Sequence, residues 1–275
     1  MFEGKVWWIT GASSGIGAAL AHALAQRGAR LVLSGRNQEA LASVRDACCA
    51  EALILPFEAT AFDQIPAVVD QAWSWAAQFG GGIDGLVNNA GISQRSLAAD
   101  TAFEVYERII AVDLMAPIRL TQALLPRMIG VGRGHVVAIS SVAGIIGAPL
   151  RSAYSAAKAG IIAYHDSVRA ETQHQGLQVL VVAPGSVRTN VSKNALDGKA
   201  HARGFSDDAI DNGMAPEAAA ERIVEAIAGG ARELILAEDM EAQAAQLRRS
   251  NPDQLFDIMA QLVASGYAQK LGAKS

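Results

Sequence analysis

The stretch Val6–Gly17, "VWWITGASSGIG", decides the fold. Its first five residues are apolar or β-branched without alternation, which suits a strand covered on both faces. The run stops at Thr10, and Gly11, Gly15 and Gly17 follow with the spacing G-x-x-x-G-x-G, opening an alanine-rich helical pattern. Glycine lets the backbone turn tightly and approach a bound group closely. A helix N-terminus adds free N–H groups and a partial positive charge. Strand, glycine turn and helix in that order make a cradle for a pyrophosphate, built from Gly11, Ser13, Ser14, Gly15, Ile16 and Gly17.

The same alternation continues outward from that stretch. Further strands are expected in "RLVLSG", "ALILPF", "DGLVNN", "HVVAIS", "LQVLVVAP" and "ELILA". Helical patterns lie between them, over Gly15–Gln26, Asn37–Cys49, Phe62–Phe79, Phe103–Ile129, Ser152–His174 and Pro216–Ala228. Doubly apolar strands separated by helices predict an α/β fold, a doubly wound parallel sheet with helices on both faces. No repeat or Pro/Ser-rich linker divides the chain, so residues 1–275 read as one domain. It carries an irregular, polar insertion at 187–216 and a helical tail at 239–275, patterned as Asp239–Arg249 and Pro252–Lys270.

Composition narrows the function. Of 275 residues 51% are hydrophobic and 18% charged, enough for a sizeable core. A net charge of −4 argues against nucleic acid as the main partner. No run of roughly 18 apolar residues predicts a membrane span. The N-terminus enters a strand without an export signal, and the two cysteines, Cys48 and Cys49, are adjacent and ill placed to bridge. A reduced, cytoplasmic setting is expected. The five histidines show no ligand spacing, so no metal site is expected.

In sheets of this kind ligands bind beyond the carboxyl ends of the strands, where strand order reverses. Residues just after strands are therefore the informative ones. After the second strand, "LSGRN" lacks the acidic residue that holds a free ribose 2′-hydroxyl and instead offers Arg36, suited to a 2′-phosphate. That favours NADP(H) over NAD(H). "NNAGIS" (Asn88–Ser93) follows the fourth strand, "SSVAG" with Ser140 and Ser141 the fifth, and "PGSVRT" (Pro184–Thr189) the sixth. In "AYSAAKAG" Tyr154 and Lys158 stand at i and i+4, on one helix face.

These motifs together resemble the short-chain dehydrogenase/reductase family over nearly the whole chain. The matches are T-G-x-x-x-G-x-G at Thr10–Gly17, N-N-A-G at Asn88–Gly91, a serine at 141, Y-x-x-x-K at Tyr154–Lys158 and P-G at Pro184–Gly185. The resemblance implies a Rossmann-type sheet of about seven strands and a nicotinamide cofactor. It also implies a homodimer or homotetramer through the helices carrying Phe103–Ile129 and Ser152–His174. The expected activity interconverts a ketone or aldehyde with an alcohol on a small molecule. In it Tyr154 is acid/base, Lys158 grips the nicotinamide ribose, and Ser141 holds the substrate oxygen. Asn89, Ala90, Gly91, Pro184, Gly185, Val187 and Thr189 would line the cofactor. A phenol with an ordinary pKa near 10 is a poor catalyst at neutral pH. A lysine cation about 4 Å away at an effective dielectric of about 20 is worth up to ~4 kcal/mol, which predicts a shift of one to three units.

Two positions depart from the family pattern. Asp113, in "IAVDLMAPIRLTQALLP", stands where asparagine is usual. The favoured reading is that this position works through its backbone carbonyl; an ionised side chain close by would stabilise the lysine cation but oppose the phenolate. Glu58, in "PFEAT", replaces an aspartate beside the adenine ring and can accept the same bond. The insertion reads as a mobile lid, and Ile145, Ile146, Leu150 and Val191 as the apolar side of the substrate pocket. A non-catalytic nicotinamide-nucleotide sensor is the alternative that Asp113 makes conceivable.

Overall fold

The computed structural model describes residues 1–267 and 269. Lys270, with the end of the expected tail at 270–275, lies outside the described residues. Seven parallel strands form one sheet: β1 (Val6–Thr10), β2 (Arg30–Ser34), β3 (Ala52–Ile54), β4 (Gly85–Asn88), β5 (Gly134–Ile139), β6 (Leu177–Pro184) and β7 (Glu233–Leu236). Their order is β3-β2-β1-β4-β5-β6-β7. The chain winds outward from β1 to β3 and returns beyond β1 to start β4, so the order reverses between β1 and β4. This is the doubly wound Rossmann-like arrangement predicted from the strand patterns.

The lack of alternation in β1 has a direct cause. Trp7 and Ile9 enter the core on one face, while Val6 and Trp8 enter the core on the other. All four are at most 1% exposed, and burial of each such side chain stabilises by about 1.5–3 kcal/mol. The first face is covered by α1 (Gly15–Ala25), α2 (Gln38–Cys48) and later α9 (Pro216–Ala228); the second by α3 (Ile65–Ala77), α5 (Ala116–Val131) and α7 (Ser152–Thr172). Asn37 caps α2 by accepting a bond from Ala40 N at 3.0 Å, an Asx cap readable in "GRNQEA".

The long pattern Phe103–Ile129 is helical but not uniform. It runs as α4 (Phe103–Ile110), one π-turn over Ala111–Met115, and α5 (Ala116–Val131). Pro117 has no N–H to offer the Asp113 carbonyl four residues back, and the helix widens there. By length and composition Phe103–Val131 is apolar enough to cross a membrane. Here it forms a layer of the fold, with Val105, Ile109, Leu120, Leu124 and Met128 buried.

Two short helices escaped the sequence reading, α6 (Val142–Ile146) and α8 (Asp208–Asp211). The long α7 (Ser152–Thr172) and α9 (Pro216–Ala228) agree with it. The tail forms α10 (Asp239–Ser250) and α11 (Pro252–Ala264), where the periodicity predicts a helix continuing to Lys270. Helix α10 braces the loop after β6: Glu241 accepts bonds from Ser186 N (2.6 Å) and Ser186 Oγ (2.9 Å).

Candidate active site

A cleft of about 710 Å³ opens at the carboxyl ends of the strands, over the reversal of strand order. Every residue singled out as cofactor-binding or catalytic lines it, Gly17 excepted. Gly17 is a packing residue and not a lining one: a Cβ there would stand 2.2 Å from the Gly11 oxygen, so it is glycine because α1 must begin against its own turn.

The cofactor half is held by one threonine and one asparagine. Thr10 Oγ1 donates to the Val87 carbonyl (3.2 Å) and accepts from Asn89 N (3.0 Å) and Ala90 N (3.2 Å). Asn89 Nδ2 donates in turn to the carbonyls of Thr10 (3.0 Å) and Gly11 (3.2 Å). The loops after β1 and β4 are thus bonded together across the reversal. Gly11 takes φ +65°, and a Cβ there would lie 2.8 Å from Ala90 Cα. Ser14, extended, precedes α1 without capping it, so the first N–H groups of the helix face the cleft uncapped. A glycine cradle under an uncapped helix start fits a dinucleotide pyrophosphate. At the rim the Arg36 side chain is 71% exposed and stands 4.0 Å from Glu58. Ser34 is turned inward, its Oγ accepting from Trp8 Nε1 at 2.9 Å.

The reacting end is carried by α7. Gln94 Oε1 accepts from Ala153 N at 2.9 Å, and Ser140 Oγ donates to the Lys158 carbonyl at 2.8 Å, fixing the helix on both sides of Tyr154. Tyr154 is half-buried, and Lys158 Nζ lies 5.6 Å from its ring centroid. That ammonium donates to the Ile139 carbonyl (3.1 Å) and stands 3.3 Å from Asp113 Oδ2. Asp113 Oδ1 accepts from Ile92 N at 2.8 Å. The carboxyl group itself therefore meets the lysine, so the side chain of this position is engaged in addition to a backbone carbonyl that Pro117 leaves without its helical partner. The widened π-turn delivers the side chain into the wall. Burial pushes the Asp113 carboxyl up, and the Lys158 charge pulls it part of the way back. For Lys158 burial lowers the pKa, but Asp113 and Tyr154 outweigh it and leave the ammonium above its ordinary value. Ser141 caps α6, accepting from Ala143 N (3.1 Å) and donating to the Pro184 carbonyl (3.3 Å).

The substrate end departs further from expectation. Ile145 and Ile146 do not line the cleft; α6 turns them into a separate groove against Phe256 and Met259 of α11. Leu150 is buried with φ +64° and does not line it either. Val191 does, together with Ile92, Val112, Leu196, Ala202 and Ile210. Within the insertion 187–216, Ser192, Ala195, Leu196 and Asp207 are buried. Asp207 is the centre of an ion cluster: Arg95 Nε reaches it at 2.6 Å, Arg203 at 2.7 Å and Arg151 at 3.6 Å. Burial pushes the Asp207 carboxyl up, but Arg95, Arg203 and Ser192 hold it well below the usual carboxylate range.

Comparison with known proteins decides what this arrangement is. The short chain dehydrogenase family model matches residues 5–200. A dehydrogenase/reductase SDR family member 7B of Bos taurus is 38% identical over 257 residues, spanning 92% of this chain and 79% of its own. The chain belongs to the short-chain dehydrogenase/reductase family. Among solved structures, a metagenomic short-chain oxidoreductase in complex with NADP is 31% identical, with TM-score 0.69 over 86% of this chain and 99% of its own. A short-chain dehydrogenase from Sphingobium yanoikuyae in complex with NADPH is 28% identical, with TM-score 0.74 over 92% of this chain and 96% of its own. As a short-chain dehydrogenase/reductase the protein is an NAD(P)-dependent oxidoreductase acting on a small molecule, and the sensor alternative is set aside.

Sequence reasoning missed three positions of this site. Gln94, fully buried, holds the start of α7, and Arg95 with Asp207 ties the insertion to the loop after β4. Gln94 and Arg95 directly follow the quoted "NNAGIS", which is the one signal that pointed to them. Asp207 looked like one charge among many in a polar loop.

Proposed function

We propose that this enzyme uses NADP(H) to interconvert a medium-sized ketone, or an aldehyde, and its alcohol, with Tyr154 as the acid/base. The observation that carries the reading is the placement of Tyr154 and Lys158, one helical turn apart, in the wall of a cleft that also contains the glycine cradle. When bound, the nicotinamide supplies or accepts the hydride. Tyr154 gives its phenolic proton to the carbonyl oxygen during reduction and takes one from the alcohol during oxidation. Lys158, positively charged and rigidly held, favours the phenolate form and offers its remaining N–H to a ribose hydroxyl. Ser141 turns its hydroxyl from the Pro184 carbonyl to the substrate oxygen, a small rotation since both face the cleft. The apolar lining of Ile92, Val112, Leu196 and Ile210 supports a substrate with a hydrophobic body.

Preference for the 2′-phosphate rests on Arg36. It is the cation that the sequence puts after β2, no acidic residue stands in its place, and its guanidinium reaches the rim exposed. Solved relatives include complexes with NADP, NADPH and NAD, so the choice rests on Arg36 alone. Phe103, Met115 and Val131 leave large apolar surface exposed along the 103–131 stretch, which supports a homodimer or homotetramer through that helix and α7. The testing experiment follows NADPH and NADH absorbance against a panel of ketones and aldehydes of graded size. Turnover with NADPH at a KM at least tenfold below that for NADH is expected; equal use of both, or preference for NADH, overturns the cofactor assignment.

A further inference from the structure

The wall of the reacting end sets a carboxyl group against the ammonium, the side-chain arrangement that the sequence left open beside the backbone one. The side chains of Asp113 and Lys158 are 0% and 6% exposed and 3.3 Å apart. Neither is free to turn away. Asp113 Oδ1 is fixed by Ile92 N, and Lys158 Nζ by the Ile139 carbonyl. Asp113 Oδ2 is buried, and the Lys158 ammonium stands 3.3 Å from it. The space is closed from a third side as well: a Cβ on Gly91 would stand 2.9 Å from Asp113 Oδ2 and 3.3 Å from Lys158 Nζ. The remaining groups facing the pair are few. Tyr154 faces it from α7, Asn88, Ser140 and Ser141 from the ends of β4 and β5 bring no charge, and Arg108 of α4 is exposed at the cleft mouth.

We propose that Asp113 is a positioning residue that cancels the charge of Lys158, so that the reacting end carries no net charge until Tyr154 loses its proton. The inference rests on the roles given to Tyr154 and Lys158 above. Two consequences follow from electrostatics alone. A carboxylate beside the ammonium makes the phenolate harder to form, so alcohol oxidation needs a higher pH than it would with a neutral residue at 113. A site of zero net charge also tolerates the cationic oxidised nicotinamide better than a site carrying an unpaired ammonium does, whereas the neutral reduced ring is indifferent.

The test is Asp113→Asn, which keeps an oxygen for Ile92 N and removes the charge. Equilibrium titration of tryptophan fluorescence with NADP⁺ and with NADPH reads the ratio of the two dissociation constants without any substrate. That ratio is expected to rise about tenfold in the variant, the equivalent of one unit of pKa. The acid limb of kcat/KM for alcohol oxidation is expected to move down by about one pH unit. An unchanged ratio overturns the inference, whatever the profile does. If Asp113→Asn does not fold, the wild-type protein decides: Lys158, labelled at Cε and assigned against Lys158→Met, is expected to titrate above the ordinary lysine value, and titration below that value overturns the inference. A Tyr154→Phe enzyme with full turnover would defeat the underlying reading; an inactive Tyr154→Phe with an unchanged ratio in Asp113→Asn would defeat this inference alone.

Discussion

The two halves of the cleft are built from different materials. The nucleotide half is backbone and glycine, stitched by Thr10 and Asn89, and it has almost no charge of its own apart from Arg36 and Glu58 at the rim. The substrate half is held by buried ions, with Arg95, Arg151 and Arg203 converging on one carboxylate. Glycine turns hold their shape through sterics, which a sequence spells out locally. An ion cluster joins residues more than a hundred positions apart, and its strength depends on every member being present.

The largest effect should come from breaking that cluster. Asp207→Ala leaves three arginines without their carboxylate and should cost about 3–5 kcal/mol in a chemical-denaturation experiment. Arg151→Gln, at the longest distance and the most exposed of the three, should cost under about 1 kcal/mol. If the halves are independent, Arg151→Gln leaves NADPH affinity unchanged; a marked loss would show that the cluster also shapes the nucleotide half.

The reverse cut comes next. Gly17→Ala forces a methyl against the Gly11 carbonyl and should cost about 1–3 kcal/mol together with most of the NADPH affinity, measured by melting and fluorescence titration. Arg36→Ala touches the rim only. Loss of a charged bond worth about 1.5–3 kcal/mol should raise the KM for NADPH roughly 10- to 100-fold, with little change for NADH or in kcat. A uniform rise for both cofactors would contradict the contrast drawn between rim and cradle.

The smallest effect expected is the acid response. His165 on α7 is buried, and burial, the dominant influence, lowers its pKa to about 4. The unfolded chain binds that proton first, so stability should decline as pH falls from about 6.5 toward 4. Asp207 acts in a separate window: its carboxyl is depressed in the fold, so its contribution is full above about pH 4 and fades below it. His165→Gln should flatten the first decline and leave the second in place.

Much of this was legible because it is local. The doubly apolar β1, the glycine turn and the Tyr154–Lys158 spacing each state their geometry within a few residues. The strand pattern "LQVLVVAP" coincides with β6 to the residue, whereas "ALILPF" gives only Ala52–Ile54 as regular strand, although Leu55 N and Phe57 N still donate to the Leu33 and Gly35 carbonyls. Ile145 and Ile146 leave the pocket because the chain after Ser141 coils into α6, and helical rotation carries them to the far side. Asp113 was visible as a departure, but its side-chain role depends on Pro117 widening the helix and on Ile92 arriving from the loop after β4. Leu150 and Ala200 adopt left-handed backbone at the substrate end, which no apolar or helical pattern announces.

The central claim is that the Tyr154 hydroxyl passes the proton. The direct measurement is single-turnover oxidation of pre-bound NADPH by a ketone that the wild type reduces, in a Tyr154→Phe protein shown by circular dichroism to be folded. The account predicts normal NADPH binding and a chemical step slowed by at least about 10²-fold. A chemical step within threefold of wild type would contradict it.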